Sequence, residues 1–461
     1  MCLAYHVFNG LRFRKFDAPL SISVLDRVSD MVIPEKWIPL RWPDSWTDPV
    51  LLDLLSGCPI NCLLLGAAAP AVIREAAKSR NLTTVAWTNP EAAGIAIAPA
   101  GDALWKTKQP VIVIDSGAWP GVRVTARKSE DLEAGPTGVP WIDSNAWTVA
   151  LARALAPDKS IWVSALPRTG RVLSAESYQL AVADAALRGG RWIVQFDEHL
   201  AAGLAKQNAD AVKTWTKIKA ALAFSEKHSA WSAYETDAPL GVVSDFVGEN
   251  EFLAGEILNL SSRRNLLYRV IPCSHATAAA FRGLEAVLYV DPKPPGAPLA
   301  AAMRDFARQG GLVVSPAKAV PADSGTATLP SPVPGYVVKS YGKGRIAYPE
   351  PEWEDPFLIA AAVHNLASRR VDPVRLFNTS TAVWNYGRSP DTHCAVAQVV
   401  NYTDQAPSNP VTLAVQRKTT TAKLYTLEKP DPVPVPVVRR KYGVEFPLPP
   451  FTVWAAVEME I

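Results

Sequence analysis

The first 235 residues alternate short apolar runs with stretches of helical periodicity. The runs lie at 37–40 (WIPL), 61–65 (NCLLL), 83–87 (TTVAW), 94–98 (GIAIA), 111–114 (VIVI), 139–142 (VPWI), 160–164 (SIWVS) and 191–196 (RWIVQF). They are apolar on both faces, as parallel strands buried between layers are. Helix signals fall between them. Asp48-Pro49 supplies an N-cap and an N1 proline before VLLDLL. AVIREAAK, WTVALARAL and SYQLAVADAAL follow, and Trp215, Ile218 and Leu222 form one helical stripe. Eight βα units over residues 31–235 predict a compact (β/α)8 barrel of the TIM type, after an N-terminal extension over 1–30.

Near residue 236 the pattern restarts. PLGVVSDF, LLYRVI, LEAVLYV and LVVS read as strands, and NEFLAGEILNLSSRR and APLAAAMRDFARQGG as amphipathic helices. This predicts an open, doubly wound, flavodoxin-like α/β domain over 236–370 that closes with YGKGRIAYPE and a last helix. Beyond residue 371 the helices stop. AVAQVVNYT, PVTLAV, AKLYTL and FTVWAAVEME predict a small antiparallel β-sandwich over 371–461.

Composition narrows the function classes. The 461-residue chain is 48% hydrophobic and 20% charged, with a net charge of +3. Such a balance gives no electrostatic case for nucleic acid. No apolar stretch has the length of a membrane span. The five cysteines, with Cys58 and Cys62 spaced C-x3-C, fit buried small hydrophobes better than zinc or a disulfide framework. Six scattered histidines show no metal spacing, and no P-loop or Rossmann glycine motif occurs, so no metal or cofactor is expected. In the N-terminal segment the basic residues follow the apolar ones, the wrong order for a secretory signal. The location is then cytoplasmic by default, or exported if the start is misassigned or trimmed.

Chemistry in a barrel sits at the carboxyl ends of the strands. Acids found there are Asp115, Asp143 and the adjacent Asp197 and Glu198. Glycoside hydrolysis needs two carboxyl groups, an acid for the leaving oxygen and a nucleophile or base. Neighbouring side chains diverge, so one of Asp197 and Glu198, paired with Asp115 or Asp143, is the sharper expectation. The plainer alternative makes Asp197 the cap of the helix that EHLAAGLA begins. Twelve of the fifteen tryptophans lie before residue 236. Indole faces stack on sugar rings, and Trp42, Trp87, Trp119, Trp141 and Trp147 fall at or beyond predicted strand ends. Arg41 follows the first strand, and Asn145 lies in the loop AGPTGVPWIDSNAW, so both join the candidate substrate-binding set.

The order of barrel, α/β domain and β-sandwich resembles barrel glycoside hydrolases of the beta-galactosidase type. GVVSDFVGENEFLAGEILNLSSRRNLLYRVI, LEAVLYVD, AAMRDFARQGGLVVS and YGKGRIAY look like the running order of their class I amidotransferase-like trimerisation domain. AGPTGVPWIDSNAWTVALARALAPDKSIWVS and ESYQLAVADAALRGGRWIVQFDEHLAAGLA look like an uncharacterised barrel family of sugar-hydrolase appearance. The resemblance implies a glycoside hydrolase acting on an oligosaccharide or glycoconjugate, with a homo-oligomer formed through 236–370. There are departures. Cys273 lies in IPCSHAT without the glycine-rich elbow of an amidotransferase nucleophile. The Asn-Glu pair of beta-galactosidases is missing from the barrel, and Asn250-Glu251 falls in the second domain. The alternative is a non-catalytic carbohydrate-binding or assembly protein on a degenerate barrel.

Overall fold

The computed structural model describes residues 36–98, 106–115, 117–123, 125–126, 132–133, 141–319, 327–350, 355–367, 372, 374–403, 406, 410–416, 419, 421–441 and 443–461. The expected extension over 1–30 lies outside them. The chain is a mixed α/β protein with several sheets. The first strands are β1 (Pro39–Arg41), β2 (Cys62–Leu65), β3 (Thr83–Ala86), β4 (Ile95–Ala98), β5 (Val111–Ile114), β6 (Gly121–Arg123), β7 (Trp141–Asp143), β8 (Ser160–Val163) and β9 (Arg191–Trp192). Helices α1 (Ala71–Ser79), α2 (Ala146–Leu155), α3 (Ala175–Ala186), α4 (Glu198–Ala205) and α5 (Ala209–Lys227) lie between or after them.

Two parallel ladders form, β1-β2-β3 and β9-β8-β5-β4. A parallel bridge between Leu40 and Val194 joins them. There the Arg41 amide donates to Val194 O at 2.8 Å, and the Val194 amide to Pro39 O at 3.1 Å. Pairing therefore runs β3-β2-β1-β9-β8-β5-β4, and no ladder joins β3 to β4 among the described residues. The predicted sixth strand departs from this set. Trp141–Asp143 pairs antiparallel with Gly121–Arg123 instead. Its short apolar run announces burial but not a partner.

Side chains alternate across each strand. One face, with Leu40, Leu63, Ile112, Val163 and Val194, packs against Ile73, Val149, Tyr178, Leu204 and Ile218 of the helices. The other face builds a separate cluster from Trp37, Cys62, Leu64, Val85, Ile95, Val111, Val113, Trp162 and Ile193, so every one of the seven strands or its flank contributes. Burial on both faces explains why these runs lack polar alternation.

A second sheet holds β10 (Leu240–Ser244), β11 (Tyr268–Pro272), β12 (Ala286–Tyr289), β13 (Leu312–Val314), β14 (Tyr336–Tyr341) and β15 (Gly344–Pro349). Its order is β11-β10-β12-β13-β15-β14, parallel except for the β14–β15 hairpin, and Thr328–Leu329 edges it. Gly342, at φ +60°, opens the two-residue hairpin turn in YGKGR. Helices α6 (Glu249–Arg263), α7 (Ala297–Gln309) and α8 (Pro356–Leu366) flank the strands. The remaining chain makes two antiparallel sheets, one around residues 382–388, 394–401 and 454–460, the other around 374–377, 412–415 and 443–447. Trp384, Tyr386, Val399 and Val457 of the first share a core with Leu413 and Phe446 of the second.

The first and last regions meet where Ile142, Ala183, Leu187, Phe224 and Trp231 pack on Val400, Tyr402, Tyr425 and Trp454. Asp184 of α3 lies inside this junction at 0% exposure. Its carboxylate accepts from Ser144 Oγ (2.6 Å), the Asn145 amide N–H (2.7 Å), Asn145 Nδ2 (2.9 Å) and the Tyr402 hydroxyl. Burial raises its pKa, and these donors oppose the rise. His228 stacks on Trp231 with centroids 4.0 Å apart. Burial, then the Lys227 charge, pushes its pKa down to about 4.

Two outcomes are expected. Asp184→Ala strands four donors and costs about 3 kcal/mol, while Tyr402→Phe costs about 1 kcal/mol, read from urea midpoints. Because the fold keeps His228 neutral, its contribution is complete above the ordinary histidine value. It is lost as pH falls toward about 4, and His228→Gln removes that part of the pH dependence of unfolding.

Candidate functional site at the carboxyl ends of the parallel strands

The alternation that builds the second-face cluster also decides what caps it. Counting by twos from Leu64, Val85, Val113, Trp162 and Ile193 reaches Gly66, Trp87, Asp115, Ser164 and Gln195; from Trp37 it reaches Arg41. These positions share one face at the carboxyl ends of their strands. Two contacts support the placement. The Arg41 guanidinium carbon lies 5.7 Å from the centre of the Trp87 ring, and Gln195 Nε2 donates to Ser164 Oγ at 3.0 Å.

The layer is graded in exposure. Ser164 and Gln195 are 1% and 3% exposed, and Gln195 Oε1 is buried without a partner among the described residues. Arg41 and Trp87 are half-buried, and Asp115 is exposed. A Cβ at Gly66 would collide with the exposed carboxylate of Asp44, so that acid lies over the end of β2. Guanidinium, indole, amide and carboxylate on one face make a surface that can hold a polyhydroxylated ring. The indole takes the C–H face and the polar groups take hydroxyls.

The other expected residues are placed as follows. Asp197 is 3% exposed and caps α4. Its Oδ1 accepts from the Leu200 amide (2.9 Å), and its Oδ2 from the Leu173 amide (3.2 Å) and the Tyr178 hydroxyl (2.9 Å). Both oxygens thus serve the backbone and α3. Glu198 is exposed in the first turn of α4, beside His199. Asp143 ends β7, outside the parallel set, and is half-buried. Trp42, one residue beyond Arg41, points to the helix-side core and is 2% exposed, with Nε1 donating to Trp46 O at 2.9 Å. Trp119 packs edge-on against Tyr178 (5.4 Å) and Trp192 (5.1 Å). Trp141 lies under the Arg263 guanidinium at 4.3 Å. Trp147 faces Gly255 of α6, where a Cβ would sit 2.9 Å from its ring. These last two tryptophans therefore serve the contact with α6.

Asn145 positions the loop that follows Asp115. Its Oδ1 accepts from the Ala118 amide at 2.9 Å, and its Nδ2 donates to Ala118 O at 2.8 Å as well as to Asp184. Gly117 lies so close to the end of β8 that a Cβ would stand 2.8 Å from Ser164 O. Reading residue types alone misses Ser164, Gln195 and Asp44. The signal for the first two was the spacing of two from Trp162 and Ile193. No Arg41–Asp44 ion pair forms among the described residues.

Cys273 follows β11 in a single short turn and donates weakly to Asp291 Oδ2 at 3.6 Å. Burial, then the Asp291 charge, pushes its pKa up to about 12, so the thiol is not a prepared nucleophile. Among the described residues no group of three or more His, Cys, Asp or Glu side chains is placed to hold a metal ion. No helix among them is long and apolar enough to cross a membrane.

No family model matches the chain, and none of the curated proteins matches it. Its structure is similar to that of α-L-fucosidase isoenzyme 2 from Paenibacillus thiaminolyticus, with a TM-score of 0.53 at 9% identity over 92% of this chain and 98% of that one. A β-galactosidase from Bacillus circulans sp. alkalophilus matches with a TM-score of 0.46 at 9% identity, over 76% of this chain and 60% of that one. A rhamnosidase from Novosphingobium sp. PP1Y also reaches 0.46 at 9% identity, over 84% and 38%. The likeness to the fucosidase is one of fold.

Asn145→Ala removes both bonds to Ala118 and one to Asp184. It is expected to cost about 2 kcal/mol in a urea titration and to speed amide exchange in the loop after Asp115.

Proposed function

We propose that the protein is a glycoside hydrolase whose sugar-binding surface is the layer at the carboxyl ends of the parallel strands. One observation carries this reading: Arg41, Trp87, Asp115, Ser164 and Gln195 share a face there, with a buried amide oxygen in the floor that has no partner among the described residues. Similarity in fold to a fucosidase over nearly the whole chain supports the reaction class.

In this reading β1–β5, β8 and β9 close into a barrel, supported by their sequential order, the Leu40–Val194 bridge and a core fed by all seven. Residues 31–235 carry the site, 236–370 form an amidotransferase-like domain suited to self-association, and 371–461 form a β-sandwich. Asp115 supplies one carboxylate. Glu198, free of the capping duty that holds Asp197, supplies the second, and Asp44 is the competing candidate for that role. Trp87 stacks on the sugar and Arg41 binds a hydroxyl or ring substituent. A non-catalytic carbohydrate-binding protein is the second reading, favoured by the complete engagement of Asp197 in the fold.

A panel of aryl fucosides, galactosides and rhamnosides tests both. Hydrolysis is expected, falling at least ~100-fold in Asp115→Asn and in Glu198→Gln with unchanged melting temperature. Loss in Asp44→Asn instead of Glu198→Gln would reassign the second carboxylate. Sugar binding without turnover would favour the second reading.

A further inference from the structure

At the opposite end of the parallel strands the three parts of the chain meet around a cavity of about 520 Å³. Arg153 from the last turn of α2, Arg188 just after α3 and Arg269 from β11 all line it, and Glu235 is the one carboxylate among the lining residues. Arg188 is only 6% exposed. Among the described residues its guanidinium gives a single hydrogen bond, from Nη1 to Thr236 Oγ1 at 3.1 Å, and lies over the Tyr268 ring at 5.2 Å. Neither Arg188 nor Arg153 has a carboxylate within ion-pair distance among the described residues. Gly189, at φ +81°, a conformation that favours glycine, brings its backbone against the Arg153 guanidinium.

A purely structural account covers part of this. Arg153 Nη1 donates to Arg188 O at 2.8 Å, near the carboxyl end of α3, where the helix dipole welcomes a cation. It leaves the forked face of Arg188 unexplained. No nitrogen of Arg188 is among the enclosed, partnerless atoms, so its remaining N–H groups open onto the cavity, where they can pair with an anion. Burial, then the Arg188 charge, lowers the pKa of Arg153.

We propose that this junction cavity binds a small tetrahedral oxyanion, phosphate or sulfate, free or as the ester group of a sugar, on the forks of Arg188 and Arg153, while Arg269, whose Nη2 donates to Arg282 O at 2.6 Å, adds charge at the rim. Two charge-assisted pairs hold it, and Glu235 at the rim weakens it. Because the cavity touches all three parts of the chain, the bound ion also ties them together.

The test is calorimetric titration of the full chain with sodium phosphate at constant ionic strength, with sulfate as competitor. Saturable one-to-one binding is expected. Arg153→Gln should weaken it at least ~10-fold, and Glu235→Gln should tighten it ~2- to 3-fold. Arg188→Lys keeps the charge and loses the fork, and it should weaken binding while circular dichroism stays native. Tighter binding of glucose 6-phosphate than of inorganic phosphate assigns the ester, and the reverse assigns the free ion. No saturable heat with either ion, or equal affinity in wild type and Arg153→Gln, would overturn the proposal. Glycoside turnover does not enter the readout, so the result is independent of the proposed activity.

Discussion

Four donors from two separate stretches of chain converge on one carboxylate that water does not reach. Asp184 gathers Ser144 and Asn145 from the turn before α2 and Tyr402 from the end of a strand in the C-terminal sheet. Removing a charge from water is expensive, and only full hydrogen bonding makes it tolerable. That requirement fixes α3 against α2 and both against the C-terminal sheet. It reaches further through Asn145, whose second amide contact holds Ala118 and therefore the loop leaving Asp115. At the other end of the same helix, Tyr178 holds Asp197, and Asp197 starts α4. One helix thus braces the ends of β5 and β9 from behind, on the side away from the polar layer.

Much of this was legible in the sequence, and the failures are instructive. Strand positions came from runs such as VIVI and SIWVS, because burial on both faces leaves a signal that needs no partner. The run at Trp141–Asp143 carries the same signal and pairs elsewhere, since hydrophobicity records burial and not register. Arg41 and Trp42 show the second limit. They are adjacent, so alternation sends one to the polar layer and the other to the core, and residue type alone could not separate them. Trp147 shows a third: a tryptophan just beyond a strand end can face a helix more than a hundred residues later, here α6 at Gly255. For Asp197 the local capping rule and the catalytic rule made the same residue attractive; the cap uses one oxygen, and Leu173 and Tyr178 use the other.

The two ends of the parallel strands divide in chemistry. At the carboxyl ends the layer is mixed, with an indole, a guanidinium and exposed carboxylates over a floor where Gln195 Nε2 meets Ser164 Oγ. At the amino ends the arginines outnumber the acids around the junction cavity. The carboxyl-end layer rests on an apolar cluster that includes the fully buried Trp162, whereas Leu187 and Trp231 of the junction cavity belong to the cluster shared with the C-terminal sheet. A rigid core between two polar ends is what places side chains from separate strands on a single face.

The location of a bound sugar tests the central claim most directly. Crystals soaked in a mixture of fucose, galactose and rhamnose are predicted to show a ring stacked on Trp87, with Arg41 and Gln195 on its hydroxyls and Asp115 beside its anomeric carbon. A ring bound in the junction cavity or on the C-terminal sheets, with the strand-end layer empty, would contradict it.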